Sequence, residues 1–146
     1  MATKNPSPLS IGRSLNFAAG RMNALCQHWL DPHGLSLPQW VVLSCLWREG
    51  ALTIGELADR VGTGLPAASR IVDRMADRKL VARRRHEDDR RAMVVHLLER
   101  GENLRHLSDF HQRINAALFA GFSSEDQGLA FSLLERMQQN AENQLP

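Results

Sequence analysis

The sequence predicts a mainly α-helical chain with one small β-hairpin, and three observations predict it. Apolar residues recur at spacings of three and four along most of the 146 residues, and the period switches to two only between Leu80 and Leu98. Ser36 with Gln39, and Thr53 with Glu56, form the paired signals that open capped helices. A length of 146 residues sets one domain, 1–146, and 43% hydrophobic with 23% charged residues is the mix of a soluble globular chain. No apolar stretch approaches the ~18 residues that a spanning helix requires. The opening MATKNPSPLS lacks the apolar core of a signal peptide, so the expected location is cytoplasmic, with no membrane partner.

After a tail containing Pro6 and Pro8, the residues Ile11, Leu15, Ala18, Met22, Leu25 and Trp29 mark one face of a first helix. It stops near Asp31-Pro32-His33-Gly34, because the residue before a proline is pushed out of helical geometry and glycine permits a turn. The Ser36–Gln39 capping box starts a second helix, with Leu35 and Trp40 at the positions of a hydrophobic staple, and it runs to about Glu49 with Gly50 at its cap. Thr53–Glu56 starts a third of barely two turns, bearing Ile54, Leu57, Ala58 and Val61 and ending at Gly62. Ala68, Ile71, Val72 and Met75 then place a fourth helix, whose start Pro66 fixes near Leu65, since proline fits only the first helical turn.

From Leu80 the alternation Val81, Arg83, Arg85 and then Met93, Val95, Leu97 predicts an antiparallel hairpin, with the polar tip His86 to Arg91 projecting. One long helix bearing Leu104, Leu107, Phe110, Ile114, Ala117 and Leu118 is expected next. A last one, capped by Ser123 or Ser124, carries Leu129, Leu133, Leu134 and Met137. Two short helices around the tight turn Gly62-Thr63-Gly64, followed directly by a basic hairpin, make a winged helix-turn-helix over residues 35–98.

Charge sharpens this reading. Residues 60–91 hold nine arginines and Lys79 against five acids, a net +5, whereas the remainder is −3. Separating charge in this way within one small domain costs self-repulsion, and a polyanion partner such as double-stranded DNA offsets it. Arg70 and Arg74 stand four apart on the polar face of the fourth helix, a like-charge pair that phosphates turn into affinity. The competing reading is a solvated face neutralised by Asp73 and Asp77. In the wing, Asp89 is two residues from Arg91, close enough to orient the guanidinium for a narrow minor groove, and Arg83, Arg84, Arg85 and Arg90 surround the pair; the competing reading is a plain turn salt bridge.

The segment LTIGELADRVGTGLPAASRIVDRMADRKLVARRRHEDDRRAMVVHLLERG, Leu52 to Gly101, together with GLSLPQWVVLSCL upstream, resembles the MarR family of transcriptional regulators. The most specific pieces are the Glu56-Leu57-Ala58 helix, the Ser69-Arg-Ile-Val-Asp-Arg74 helix, and Asp89-Arg90-Arg91 followed ten residues later by Gly101. The resemblance implies a homodimer joined through a helical dimerisation region, 9–34 and 99–146, and a pseudo-palindromic operator. It also implies Ser69 and Arg70 in the major groove, and Asp89 with Arg91 as the ordered wing pair. Leu15, Met22, Phe110 and Leu133 are the expected interface residues. The sequence departs from the family at Gly64, Pro66 and Ala67, which stand where hydroxyls are common, at Lys79, where glycine is usual, and at Leu98, where threonine usually caps.

The resemblance also implies that DNA is often released when a small aromatic or phenolic effector binds, and Phe17, Arg21, His28 and Trp40 are the candidate lining residues. The competing reading makes Phe17 and Trp40 core. Cys26 and Cys45 fall on or beside apolar faces and are expected as inert thiols. The six histidines show no helical ligand spacing, so no metal and no cofactor is expected. Phosphate loops, nucleophile elbows and apolar carboxylate pairs are absent, so an enzyme is not expected. The expected function is a sequence-specific DNA-binding regulator acting as a repressor. The alternative is a winged-helix interaction or dimerisation module without operator binding.

Overall fold

The computed structural model describes residues 10–89 and 92–146. The chain divides into two compact units, Met1–Phe110 and His111–Pro146. In the first, helix α1 (Ile11–Leu30) is capped by Ser10, whose hydroxyl accepts the Arg13 N–H, and it passes into a 3₁₀ turn at Asp31–His33. Gly34 turns the chain at φ 66°, a left-handed conformation that costs glycine nothing. Both predicted capping boxes are present, at Ser36 for α2 (Leu37–Glu49) and at Thr53 for α3 (Ile54–Val61), each with reciprocal side-chain and backbone bonds. Helix α4 (Leu65–Asp77) begins where Pro66 requires, without a side-chain cap at Gly64.

The wing is as expected, β2 (Val81–Arg85) against β3 (Met93–Leu97), antiparallel with Val81 opposite Leu97 and Arg85 opposite Met93. The sequence reading missed a third strand, β1 (Leu52–Thr53), which pairs with β3 so that the sheet order is β1-β3-β2. Two residues are too few to show an alternation, and only the neighbouring strand makes them a strand.

Helix α2 is the centre of the first unit. Trp40, Val42, Leu43, Cys45, Leu46 and Trp47 are all buried, joined by Leu57, Ala58, Ala68, Val72, Met75, Val81 and Val95 from the surrounding elements. Trp40 packs on Phe110 with ring centroids 5.1 Å apart, and Trp29 meets the same ring edge-on at 6.4 Å. A bidentate pair, Arg60 to Glu49 at 2.6 and 2.7 Å, fastens α3 to the end of α2. That hydrogen bond holds the Glu49 carboxyl below the ordinary carboxylate range.

The expected long helix after the wing is broken into α5 (Glu99–Glu102), a 3₁₀ turn at Arg105–Leu107, and α6 (Phe110–Leu118). The breaks coincide with two carbonyls that a continuous helix would keep for itself. The indole N–H of Trp47 donates to Gly101 O at 3.1 Å, and that of Trp40 donates to Leu107 O at 2.9 Å. Leu98 occupies the cap position of α5 without a side-chain bond. Gly101 is obligatory for a different reason: a Cβ there would collide with the Leu80 carbonyl oxygen and stand 3.0 Å from Leu97 Cδ2.

A further difference concerns α1, whose predicted apolar face enters the core only at its C-terminal end. Cys26 and Leu30 are buried, whereas residues 11–21 are exposed, Ile11 at 60%. In the second unit, α7 (Ser124–Glu142) is capped by Ser123 and buries no residue, leaving Leu129, Phe131, Leu133 and Leu134 exposed. Phe119 there lies 5.6 Å from Phe122 and 5.4 Å from Phe131, centroid to centroid. Among the described residues no helix is long and apolar enough to cross a membrane.

This geometry carries three expectations for stability. Lys79 sits at φ 58°, the only non-glycine residue in the left-handed region among those described, so Lys79→Gly relieves about 1–2 kcal/mol of backbone strain. The extra freedom of the unfolded chain returns about 0.4–1 kcal/mol of that. The net gain is read as a higher urea midpoint at unchanged slope. Gly101→Ala should cost at least about 1–3 kcal/mol, because the obstacle is backbone, and the urea midpoint should fall accordingly. The Glu49–Arg60 pair stabilises the fold above the unfolded-state glutamate pKa of about 4.3 and loses that contribution as pH falls through the lower folded-state value. Glu49→Gln should therefore flatten the acid limb of a stability-versus-pH curve.

Candidate nucleic-acid interface

Helix α4 follows α3 across the turn Gly62-Thr63-Gly64, with Gly62 at φ 76°. Ala68, Val72 and Met75 anchor its inner face at 1% exposure or less, which fixes the opposite face toward solvent. Arg70 and Arg74 are on that solvent face, and among the described residues neither carries an ion pair. Asp73 does not neutralise them, because its carboxylate is engaged by Arg83 of β2 at 2.7 Å.

The strand register sorts the wing arginines. Val81, Arg83 and Arg85 alternate on one side of β2, and Arg83 stands opposite the fully buried Val95. Arg83 is thus turned toward α4, where its Nη2 also donates to Ser69 Oγ at 2.9 Å and to Ser69 O at 3.3 Å. Arg84 and Arg85, both exposed, border a cleft with Ala51, His86, Glu87, Asp88 and Val94. His86 Nδ1 accepts the Asp88 N–H at 3.1 Å and shapes the turn. Asp89 is exposed at the tip, while Arg90 and Arg91 lie outside the described residues.

The structure therefore brings Arg70 and Arg74 onto one exposed helix face and leaves Arg84 and Arg85 exposed on the adjoining strand. Ser69 is half-buried and already hydrogen-bonded. Arg83, which the sequence placed only among the arginines around the wing pair, is instead bonded to α4. Its signal was present as an arginine at an inward position of an alternating strand, but its partners lie ten and fourteen residues away on another element.

The candidate effector residues are not gathered in one place. Phe17 is 56% exposed, with the Arg13 guanidinium 5.3 Å from its ring centroid, and Arg21 and His28 are exposed further along α1. Phe17 and His28 are eleven residues apart on one helix, about 16 Å along its axis. Trp40 is a core residue whose N–H is used at Leu107, because a staple position beside Leu35 points inward. Cys26 and Cys45 are both 3% exposed, and burial pushes both thiols up from their ordinary value, so neither is an activated nucleophile. No group of three or more metal-ligating side chains occurs among the described residues.

Comparison with known proteins agrees with this geometry. The MarR family model matches residues 35–93, the span from the first α2 signal into β3. The uncharacterised HTH-type transcriptional regulator YwoH of Bacillus subtilis is 33% identical over 108 residues, 74% of this chain and 78% of its own length. Among solved structures, Bordetella bronchiseptica BpsR, whose DNA binding is regulated by 6-hydroxynicotinic acid, superposes with a TM-score of 0.80 at 25% identity over 90% of this chain and 98% of its own. A cysteine-to-serine mutant of Escherichia coli MarR complexed with operator DNA has the same fold, with a TM-score of 0.79 at 21% identity over 87% and 92% of the two chains. A winged helix-turn-helix with these relatives is a transcription regulator and not an enzyme, and the chain belongs to the MarR family.

Proposed function

We propose that this protein is a repressor that binds a pseudo-palindromic operator as a homodimer and is released by a small aromatic acid or phenol. The carrying observation is the run of exposed arginines, Arg70 and Arg74 on α4 with Arg84 and Arg85 on β2, free of ion pairs among the described residues. Four guanidiniums on adjoining elements repel one another, and a phosphate backbone converts that cost into affinity. In this reading α4 enters the major groove and the wing, including Arg90, Asp89 and Arg91, tracks the adjacent minor groove.

The dimer is supported by apolar surface that each unit leaves uncovered. Ile11, Leu15 and Phe17 on α1, and Leu129, Phe131, Leu133 and Leu134 on α7, are 38–60% exposed, and rows of large apolar side chains in water are the usual mark of an interaction surface. Two-fold symmetry then sets half-site centres about one DNA helical turn apart. An effector finds an aromatic surface with a cation at Phe17 and Arg13, beside an open cleft of about 430 Å³. BpsR, regulated by 6-hydroxynicotinic acid, supports that ligand class.

Selection from a pool of genomic fragments should enrich a pseudo-palindrome, and anisotropy across a salt series should give a log-log slope of about −0.9 per neutralised phosphate. Arg70→Ala and Arg74→Ala should each reduce that slope by about one contact with the fold and the dimer intact. Unchanged affinity in both variants would favour the interaction-module alternative. Sedimentation at micromolar concentration should give twice the chain mass, and a clean monomer would remove the two-fold operator. Hydroxylated aromatic acids should lower operator affinity, and Phe17→Ala should weaken their effect.

A further inference from the structure

Ser69 and Asp73 stand four residues apart on α4, so their side chains share one face, and one arginine of the wing meets both. All three contacts fall on a single nitrogen. Nη2 carries two hydrogens, so the Asp73 carboxylate at 2.7 Å and the Ser69 hydroxyl at 2.9 Å take them, and the Ser69 carbonyl at 3.3 Å shares. The arrangement is bought with an unsatisfied group, since Arg83 Nε is shut off from solvent and has no partner. The other described arginines of α4 and the wing strand, at 70, 74, 84 and 85, carry no ion pair.

Resting on the DNA-binding reading above, we infer that Arg83 is a positioning residue that clips the wing to the recognition helix and presents Ser69 to DNA as a hydrogen-bond donor. Two elements read two grooves, and at the base of the wing the short connection 78–80 already ties β2 to α4, with Leu80 N–H donating to Met75 O at 3.0 Å, so the placement still to be set is that of the strand beyond its first residues. A guanidinium bonded across from β2 to α4 fixes that placement before DNA arrives, so less ordering is left to do on binding. The same bond occupies a lone pair of Ser69 Oγ, and the hydroxyl hydrogen is left to point away from Arg83. A donor there selects a base edge with an acceptor, such as guanine O6 or N7, adenine N7 or thymine O4, and disfavours the cytosine N4 amino group.

The test uses the full chain as wild type, Arg83→Met, Arg83→Lys and Ser69→Ala. Affinities for the selected operator and for a random duplex of equal length are measured across a salt series, and ¹⁵N order parameters are measured for Arg84 to Asp89 in the free protein. Arg83→Met should lower the operator-to-random ratio by about 10- to 100-fold, leave the random-duplex salt slope unchanged, and lower the order parameters. Ser69→Ala should relax preference at one base position only. A drop of about 0.9 in the random-duplex slope would overturn the inference, because Arg83 would then grip phosphate itself through Nη1. So would an unchanged ratio with unchanged order parameters. If Arg83→Met does not fold, Arg83→Lys carries the same readouts, because an ammonium keeps the charge and cannot reproduce the fork. If the wild type binds neither duplex, the DNA-binding reading fails and the order parameters alone decide the clip: a fall supports it, and no change overturns it.

Discussion

Two buried indole N–H groups set the frame on which everything else in the first unit rests. Helix α2 is apolar nearly all round, so it must be enclosed, and enclosure brings the polar edges of Trp40 and Trp47 out of water with it. Each edge needs an acceptor in a region where the remaining backbone carbonyls belong to helices. The carbonyls of Leu107 and Gly101 supply them, and the helix that would have used those carbonyls is interrupted at both places. Arg105 closes the arrangement by donating to the Trp47 carbonyl at 3.0 Å, so the chain after the wing is tied to α2 from both directions. Gly101, pressed against the Leu80 carbonyl, brings that same segment against the base of the wing.

The basic surface is a consequence of where the carboxylates go. Asp73 sits between Arg70 and Arg74 in the chain, and on an isolated helix it would pair with one of them at a gain of about 0.2–0.5 kcal/mol. In the folded protein it turns to Arg83, and the two helix arginines keep their charge facing outward. Glu49 is likewise taken by Arg60, away from the α4 and wing arginines. Exposed ion pairs of this kind contribute little to stability. Their effect is on the distribution of charge, which decides what the surface attracts.

Apolar exposure tells the same kind of story at the ends of the chain. An amphipathic stripe predicts that a helix is covered and leaves open by what. The first half of α1 and the length of α7 carry such stripes, and neither is buried within its own unit. Rows of large apolar side chains left in water mark an interaction surface, and the proposed homodimer is one way to cover them.

The sequence by itself determined the starts of α2, α3 and α4, the wing strands and the positions of the arginines, because capping, proline geometry and hydrophobic period act over a few residues. Ser36 with Gln39, Thr53 with Glu56 and Pro66 each fix a boundary locally, and the structure places them there. The family resemblance marked Lys79 as standing where glycine is usual, and its left-handed backbone shows what that costs. Only the tertiary structure decided the rest. Strand β1 exists because β3 passes beside it, the last helices break because indoles from α2 claim their carbonyls, and Arg83 faces inward because Ser69 and Asp73 are on the helix that the strand crosses. Trp40 entered the core and left the candidate effector set scattered along α1 for the same reason. Each of these is a contact between residues distant in the chain, and the pattern of one segment carries no record of which acceptor, edge or ring another segment will bring to it.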